Sequence, residues 1–495
     1  MVTLQDVQNV CLTRGIIFPT AEIYSGLAGF FDFGPVGTLL KNKFINYWRE
    51  VFVKSQDNVF EIDGSTILPE KVLIASGHVE SFIDPVTQCK KCKSINRADH
   101  LIEEKTGKFV EGKSCEELTE IIKKNKITCP KCGGELMDVK VFHLMFKTEI
   151  SPLGGQIGYL RPETAQNVFT AFNRVYRTTR SKLPMGMAQV GHSFRNEISP
   201  RNFIVRVREF NQMEVEMFFD PRDDKCPLFD EIKDVKINLV TREAQQKKGE
   251  MIKISVKEAL DKSVIPNQWL GYFLAKEFQF YKFLGIPEDA LRFRHMLEAE
   301  TPHYSRGNFD LEIKFDFGWK ETVGNAYRTD HDLKNHSKFA NTDLSVQTDN
   351  GKVIPHVVEP SFGVERTLAG VLLHNYVEDK ERGWNWFKFP AKIAPYICGV
   401  FPLVKKDGLA EKAQGIIEDL KKDGFDVFYD ESGSIGKRYA RADEIGTPFA
   451  ITIDYDTLKD NDVTLRNRDT QKQIRINIDD LKIFLERALK SFSKF

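Results

Sequence analysis

No stretch of this 495-residue chain approaches the roughly 18 consecutive apolar residues that a membrane-spanning helix needs. The opening segment, MVTLQDVQNVCLTRGII, lacks both a basic leader and a sustained apolar run, so no export signal is read there. The expectation is a cytoplasmic protein without a membrane partner. An excess of one charge is missing too, because Lys plus Arg and Asp plus Glu are both 71. No global positive field draws the chain onto nucleic acid, although local basic patches on a neutral protein still serve an RNA partner. Internal repeats, low-complexity linkers and the phosphate-loop pattern GxxxxGK[ST] are absent, which removes solenoids, long tethers and the commonest loop for holding a triphosphate. Cysteine is sparse, and four of the eight fall in CxxC pairs, which suits reduced thiols and a metal site better than a disulfide framework.

What the chain has is the material of a globular protein. Hydrophobic residues make up 41%, and 38 Phe supply apolar area enough for a large core. The length predicts two or three units. Residues 1–390 are dense in short β-type runs and are interrupted at about 86–141 and 222–303 by lysine-rich stretches that read as insertions, the second of them helical. From 391 to 495 strand-like runs (PYICGVFPLV, DVFYD, FAITID, VTLRNRD, KQIRIN) alternate with helix-like ones, which predicts a small α/β domain with a mixed sheet.

Residues 38–54 place Leu40, Phe44, Tyr47 and Val51 on one helical face, either a core helix or a subunit interface. Residues 185–219, MGMAQVGHSFRNEISPRNFIVRVREFNQMEVEMFFDP, read as two strands joined through the turn-prone ISPRN. In the second strand the period of two puts Arg206, Arg208, Phe210, Gln212, Glu214 and Glu216 on one face and Val205, Val207, Met213 and Val215 on the other. Arg195 and Glu197 share a face in the first. Such a set suits a nucleotide and an amino acid held together: guanidinium forks for phosphate, an aromatic face for a purine, carboxylates for an ammonium or a metal. The competing reading is a solvated sheet face laced with ion pairs. Cys89 with Cys92 (CKKC) and Cys129 with Cys132 (CPKC) read as a Cys₄ zinc ribbon. Unligated thiols remain the alternative, since the gap between the pairs exceeds the usual 15–20 or so residues.

FRNE followed by Arg206 and Phe210 is similar to motif 2 of the class II aminoacyl-tRNA synthetases, in which Arg grips the α-phosphate and Phe stacks on adenine. PSFGVERTLAGVL, residues 360–372, resembles motif 3, a strand turning into a helix with Arg366 reaching the terminal phosphates. The helix at 38–54 and the strand ending at Pro69 stand where motif 1, the family's dimer interface, belongs. Longer strings, among them GFFDFGPVG, NRADHLIEE, GYLRPETAQ, RVREFNQMEVE, YRTDHDL and EPSFGVER, resemble the dimeric glycyl-tRNA synthetases. The resemblance implies an α+β protein: an antiparallel class II sheet flanked by helices (motif 1 about 38–69, motif 2 about 190–219, motif 3 about 359–372), a zinc-ribbon insertion, and a C-terminal anticodon-binding domain.

It also implies glycine activation by ATP with Mg²⁺, transfer to tRNA-Gly, a homodimer and no editing domain. Arg195, Glu197 and Arg366 would be catalytic. ATP would meet Arg195, Asn196 and Glu197; Val205, Arg206, Val207, Arg208, Glu209 and Phe210; Glu321 and Thr322; and Gly363, Val364, Glu365 and Arg366. Glycine would meet Arg97, Glu163 and Arg328; Phe210, Asn211, Gln212, Met213 and Glu214; and Glu359, Pro360, Ser361, Phe362 and Gly363. Lys437, Arg438 and Arg441 would contact the anticodon arm, against the plainer reading of a solvated face. Two other readings compete: a silent paralogue that keeps the fold as an RNA-binding subunit, and a class II enzyme for another small amino acid. The joint presence of Arg195, Arg366, Glu163 and Glu359 argues against the first, the glycyl-type strings against the second.

Overall fold

In this computed structural model, residues 2–107, 110, 112–152, 154–247, 249–298, 300–301 and 305–490 are described. Most of the first 390 residues are organised on a nine-stranded sheet. Its strands are β1 (Val59–Ile62), β2 (Met185–Phe194), β3 (Glu209–Phe219), β4 (Lys236–Val240), β5 (Ile252–Ser255), β6 (Leu291–His295), β7 (Asn308–Phe315), β8 (Gly318–Thr329) and β9 (His356–Gly363). They lie in the order β5-β4-β6-β7-β8-β9-β3-β2-β1. β1 runs parallel to β2 and β4 parallel to β6, and the other pairings are antiparallel.

One face of this sheet is apolar. Met213, Val215 and Met217 of β3, Phe362 of β9 and Val323 of β8 are fully buried there. Against them pack α2 (Pro35–Phe52), α4 (Gln268–Phe283) and α5 (Val364–Asn375), with α1 (Leu4–Thr13) nearby and α3 (Ala165–Thr178) on the far side of β2. α2 starts three residues before position 38, because Pro35 is suited to a first helical turn, where its missing N–H is no loss. Tyr47 stacks on Phe280 with 5.2 Å between centroids, and Phe52 meets Phe362 at 4.9 Å. Leu40, Phe44 and Tyr47 are core as expected, whereas Val51 is only half-buried.

Two expectations need correction. Residues 222–303 are not a helical appendage: β4, β5 and β6 come from this stretch and extend the central sheet, and α4 buries Trp269, Phe273, Leu274 and Tyr281 in the main core. The lysines that suggested an appendage, such as Lys236 and Lys253, sit exposed at the sheet's outer edge, where lysine discourages stray pairing. The second strand of the hairpin begins at Glu209 rather than 205. Asn202 and Phe203 adopt positive φ (60° and 54°), Phe203–Val205 forms a 3₁₀ turn, and the Arg208 amide donates to the Gly29 carbonyl instead of to β2.

Residues 83–143 form a separate module with its own small core, closed at its base by the pairing of Ile83 with His143. From Cys398 onward the chain builds a second domain on a five-stranded sheet of β10 (Cys398–Pro402), β11 (Val427–Tyr429), β12 (Phe449–Ile453), β13 (Asp462–Asn467) and β14 (Gln473–Asn477). The order is β11-β10-β12-β13-β14, parallel among the first three and antiparallel beyond, with α6 (Leu409–Lys422) and α7 (Ile435–Glu444) packed on it. The ion pair Lys43–Asp426 at 3.1 Å holds this domain against α2, and Lys392, in the segment leading into it, pairs with Glu50 of α2 at 2.8 Å. Among the described residues no helix is long and apolar enough to cross a membrane.

Candidate active site

The sheet face opposite the core is a polar floor. Alternation along β3 turns Phe210, Gln212, Glu214 and Glu216 onto it, and register places Ser361 of β9 beside Glu214 and Gly324 of β8 beside Ser361. Over this floor opens a cavity of about 380 Å³. It gathers Glu163, Arg195, Glu197, Val205, Arg206, Val207, Phe210, Gln212, Glu214, Glu321, Thr322, Arg328, Glu359, Ser361, Gly363, Glu365 and Arg366. These were named from sequence, and they come from segments up to two hundred residues apart.

At one end four glutamates and Asp332 surround one guanidinium. Arg328 makes a two-point contact with Asp332 (2.8 Å each) and donates to Glu359 at 2.9 Å. Burial pushes the Glu359 carboxyl up to about 8 despite Arg328, with the charges of Glu214 and Glu163 adding to the rise. Glu214 accepts from Gln212 (2.9 Å), Ser361 and Thr164, yet burial and the charge of Glu163 leave its carboxyl above the ordinary range. Glu216, fully buried beside Glu359 in the register, is raised further, first by burial and then by its acidic neighbours. Glu163 goes the other way: burial would raise it, but His78 at 3.4 Å, Arg328 and Gln166 outweigh burial and hold it well below the carboxylate range. Acids crowded and buried in this way keep protons on some of their number.

On the same face as these acids the Arg161 guanidinium donates from Nε to the His192 carbonyl (2.7 Å) and from Nη1 to the Gly64 carbonyl (2.9 Å). A Cβ on Gly191 would lie 2.0 Å from its Nη2, so position 191, paired with Gln212, must be glycine for Arg161 to cross this face of the sheet.

At the other end are the groups suited to a nucleotide. The Arg195 guanidinium sits 5.4 Å from the Phe210 ring and 5.5 Å from Phe82, and its Nε donates to the Pro162 carbonyl at 3.1 Å. Arg206 reaches back to Glu197 at 2.6 Å. Arg366, in the first turn of α5, donates to the carbonyls of Val205 (3.1 Å) and Glu321 (2.8 Å) and meets the Glu321 carboxylate at 3.3 Å. Glu312 of β7 pairs with Glu321 of β8 and Asp310 with Gly324, and Arg294 of β6 bonds Asp310 at 3.0 Å. Burial lifts the Asp310 carboxyl to about 7, with the charge of Glu321 adding. Carboxylate oxygens are the ligands a hard divalent cation takes, although among the described residues only the cysteines of the 83–143 module draw their ligand atoms into one cluster.

Other residues named from sequence do not line the cavity. Met213, Phe362 and Val364 are in the core, and Pro360 is buried in β9. Asn211 is turned to Glu365, to which its amide and side chain donate at 2.7 Å each. Glu209 faces outward to His192, Arg208 holds the Ala28 carbonyl at 2.8 Å, and the Asn196 amide donates to the Leu144 carbonyl at 2.7 Å. Arg97 belongs to the 83–143 module, paired with Asp84 (3.2 Å) and Asp99 (2.5 Å). Asn308, Asp310, Arg294 and Met296 line the cavity without having been picked out. A signal existed for Asp310: in FDLEIKF, Asp310, Glu312 and Lys314 alternate as the β3 residues do.

In the module, the two CxxC turns bring four sulfurs within 4.8 Å of one another. Cys89 and Cys132 are 3.5 Å apart and Cys92 and Cys129 3.6 Å, the edge lengths of a tetrahedron about one ion with Zn–S bonds of about 2.3 Å. All four are free thiols and fit zinc. In the C-terminal domain, Lys437 is exposed on α7 and Arg441 pairs with Asp430 at 2.5 Å. Arg438 corrects the sequence reading: it is 3% exposed and donates to the carbonyls of Pro402 and Gly433, which leaves it no face for RNA.

Comparison with known proteins agrees with this geometry. Residues 146–376 match the tRNA synthetase class II core domain (G, H, P, S and T), and residues 398–487 match the anticodon binding domain. The glycine–tRNA ligase of Methanothermobacter thermautotrophicus is 41% identical, over 98% of both chains. That of Pyrococcus furiosus is 41% identical over 96% of this chain and 97% of its own, and that of Methanocaldococcus jannaschii 39% over 98% and 99%. A class II core carrying an acid-lined pocket beside a guanidinium-lined one, matched along nearly its whole length, belongs to the glycine–tRNA ligase family of aminoacyl-tRNA synthetases.

Proposed function

We propose that this chain joins glycine to tRNA-Gly in the cavity described above, and that the residues gathered there carry the first step. Glycine offers an ammonium, a carboxylate and two Cα hydrogens. Glu163, Glu214 and Glu359 hold the ammonium, with Ser361 and Gln212 fixing Glu214 in place. Larger amino acids are excluded by shape, and no smaller competitor exists to demand a second sieve. The adenine ring stacks on Phe210 opposite Arg195, and Arg206 and Glu197 fix its edge.

The carboxylate oxygen of glycine attacks the α-phosphorus, a P–O bond forms, and the bond to pyrophosphate breaks with its electron pair leaving on the pyrophosphate. Arg195 and Arg366 offset the charge that accumulates, and the fixed sheet supplies alignment. Mg²⁺, held by Glu321 and Asp310, would neutralise the triphosphate. In the second step the hydroxyl of the terminal ribose of tRNA displaces AMP and takes the glycyl group. Zinc is assigned to Cys89, Cys92, Cys129 and Cys132 as a structural ion, and Lys437 and Arg441 to the anticodon arm. The enzyme works as a cytoplasmic homodimer.

The observation that carries this reading is one cavity shared by Arg195, Phe210, Glu359 and Arg366. Glycine-dependent exchange of labelled pyrophosphate into ATP, followed by charging of a glycine-accepting tRNA, tests it. Exchange supported by alanine or serine and not by glycine would replace the assignment of substrate.

A further inference from the structure

After α5 the chain pairs Tyr376–Val377 with Trp386–Phe387 before entering the C-terminal domain. Within that connection Arg382 Nη1 donates to Asp443 Oδ2 at 3.2 Å, and Trp384 Nε1 donates to the same oxygen at 3.1 Å. From β13, Arg466 closes on both oxygens of Asp443 at 2.8 and 2.9 Å. The side chains of Arg382, Asp443 and Arg466 are 3%, 1% and 4% exposed. Arg382 lies 4.2 Å over the Trp386 ring, and Arg466 4.8 Å over Tyr439.

Asp443 stands in the last turn of α7, the helix that carries Lys437 and Arg441. The next residue, Glu444, pairs with Arg14 from the end of α1. Arg468 ties the same region again, donating to the carbonyls of Gly446 (2.7 Å) and Phe389 (2.9 Å). Contacts between domains of one chain ordinarily allow relative motion. A buried carboxylate shared by two guanidinium groups and an indole has one arrangement that satisfies every member, and losing the carboxylate takes from Arg466 its two-point partner and leaves Arg382 only Asp379, at 3.2 Å, as a carboxylate partner.

We infer that Asp443 is a positioning residue for tRNA charging. By gathering Arg382, Trp384 and Arg466 it sets the angle of α7 to the end of α5, the helix whose first turn carries Arg366. Anticodon arm and 3′ end are then presented to their sites together. The inference rests on the assignment of tRNA above and adds a residue remote from both substrates of the first step.

The test uses the full-length enzyme with Asp443→Asn, an isosteric loss of charge, and with Arg382→Gln, which cuts the node from the other side. Three rates are read: glycine-dependent pyrophosphate exchange, charging of full-length tRNA, and charging of an acceptor-stem minihelix that lacks the anticodon arm. Expected is a loss of about tenfold in kcat/KM for full-length tRNA, chiefly in KM, with exchange and minihelix charging at wild-type rates. Equal losses in all three rates would make Asp443 merely structural and overturn the proposal, as would unchanged charging of full-length tRNA by both variants. Failure of the wild-type protein to charge any glycine-accepting tRNA would instead count against the substrate assignment.

Discussion

Four acids within reach of one another cannot all be ionised in an apolar surround, and Glu359, lifted to about 8, makes this measurable. A carboxylate holds an ammonium; the neutral acid does not. Glycine affinity is therefore full above the Glu359 value and is lost as pH falls through it. The KM for glycine in pyrophosphate exchange is expected to rise between pH 8 and 6, approaching about tenfold per pH unit. Glu359→Gln should raise the glycine KM and flatten its profile; an unchanged profile would remove Glu359 from the ammonium site. Phe210 and Glu214 were legible in sequence because the alternation of their strand gives away its face, and Glu359 and Arg366 because EPSFGVER resembles motif 3. Arg294 and Asn308 were not, because their roles arise only when β6 and β7 are laid beside β8, a pairing that no local pattern dictates. Arg438 misled for the opposite reason: a basic residue near others looks solvated, and only the fold shows it plugged into the carbonyls that end β10.

Among the elements, the alternation of strands and helices after Pro390 was readable run by run, and each predicted strand is present. The stretch 222–303 was misread because its lysines lie at a sheet edge, and edge strands look like loops in composition. The zinc module is the element whose stability is most separable from the rest, since its core excludes residues of the main one. A Cys89→Ser chain, or the wild type treated with a chelator, is expected to lose its zinc. Proteolysis between residues 86 and 141 should become at least about tenfold faster, with pyrophosphate exchange largely kept. Elemental analysis that finds no zinc in the wild type, together with unchanged protease resistance, would contradict the assignment.

At the scale of the molecule, the two domains and the module were expected from sequence, but how they sit together was not. The joints are pairs such as Lys43–Asp426 and Lys392–Glu50, whose members lie hundreds of residues apart and carry no mark of their partner. The surface also exposes an apolar group beside the cavity's outer loop, Ile23 at 89%, Tyr24 at 81% and Leu27 at 57%, which a second copy would shield. Sedimentation equilibrium is expected to return twice the 56.9 kDa chain mass; a monomer at micromolar concentration would end the dimer proposal.

Phe210 and Glu214 stand on the same side of one continuous strand, four residues apart. Their spacing is thus set by the pleat, about 13 Å of backbone that neither stretches nor bends freely. Both binding halves are read off the same ruler, and a one-residue slip would turn them to the apolar side together. A shift of register therefore costs both substrates at once, whereas a substitution at Phe210 or at Glu214 touches only one of them.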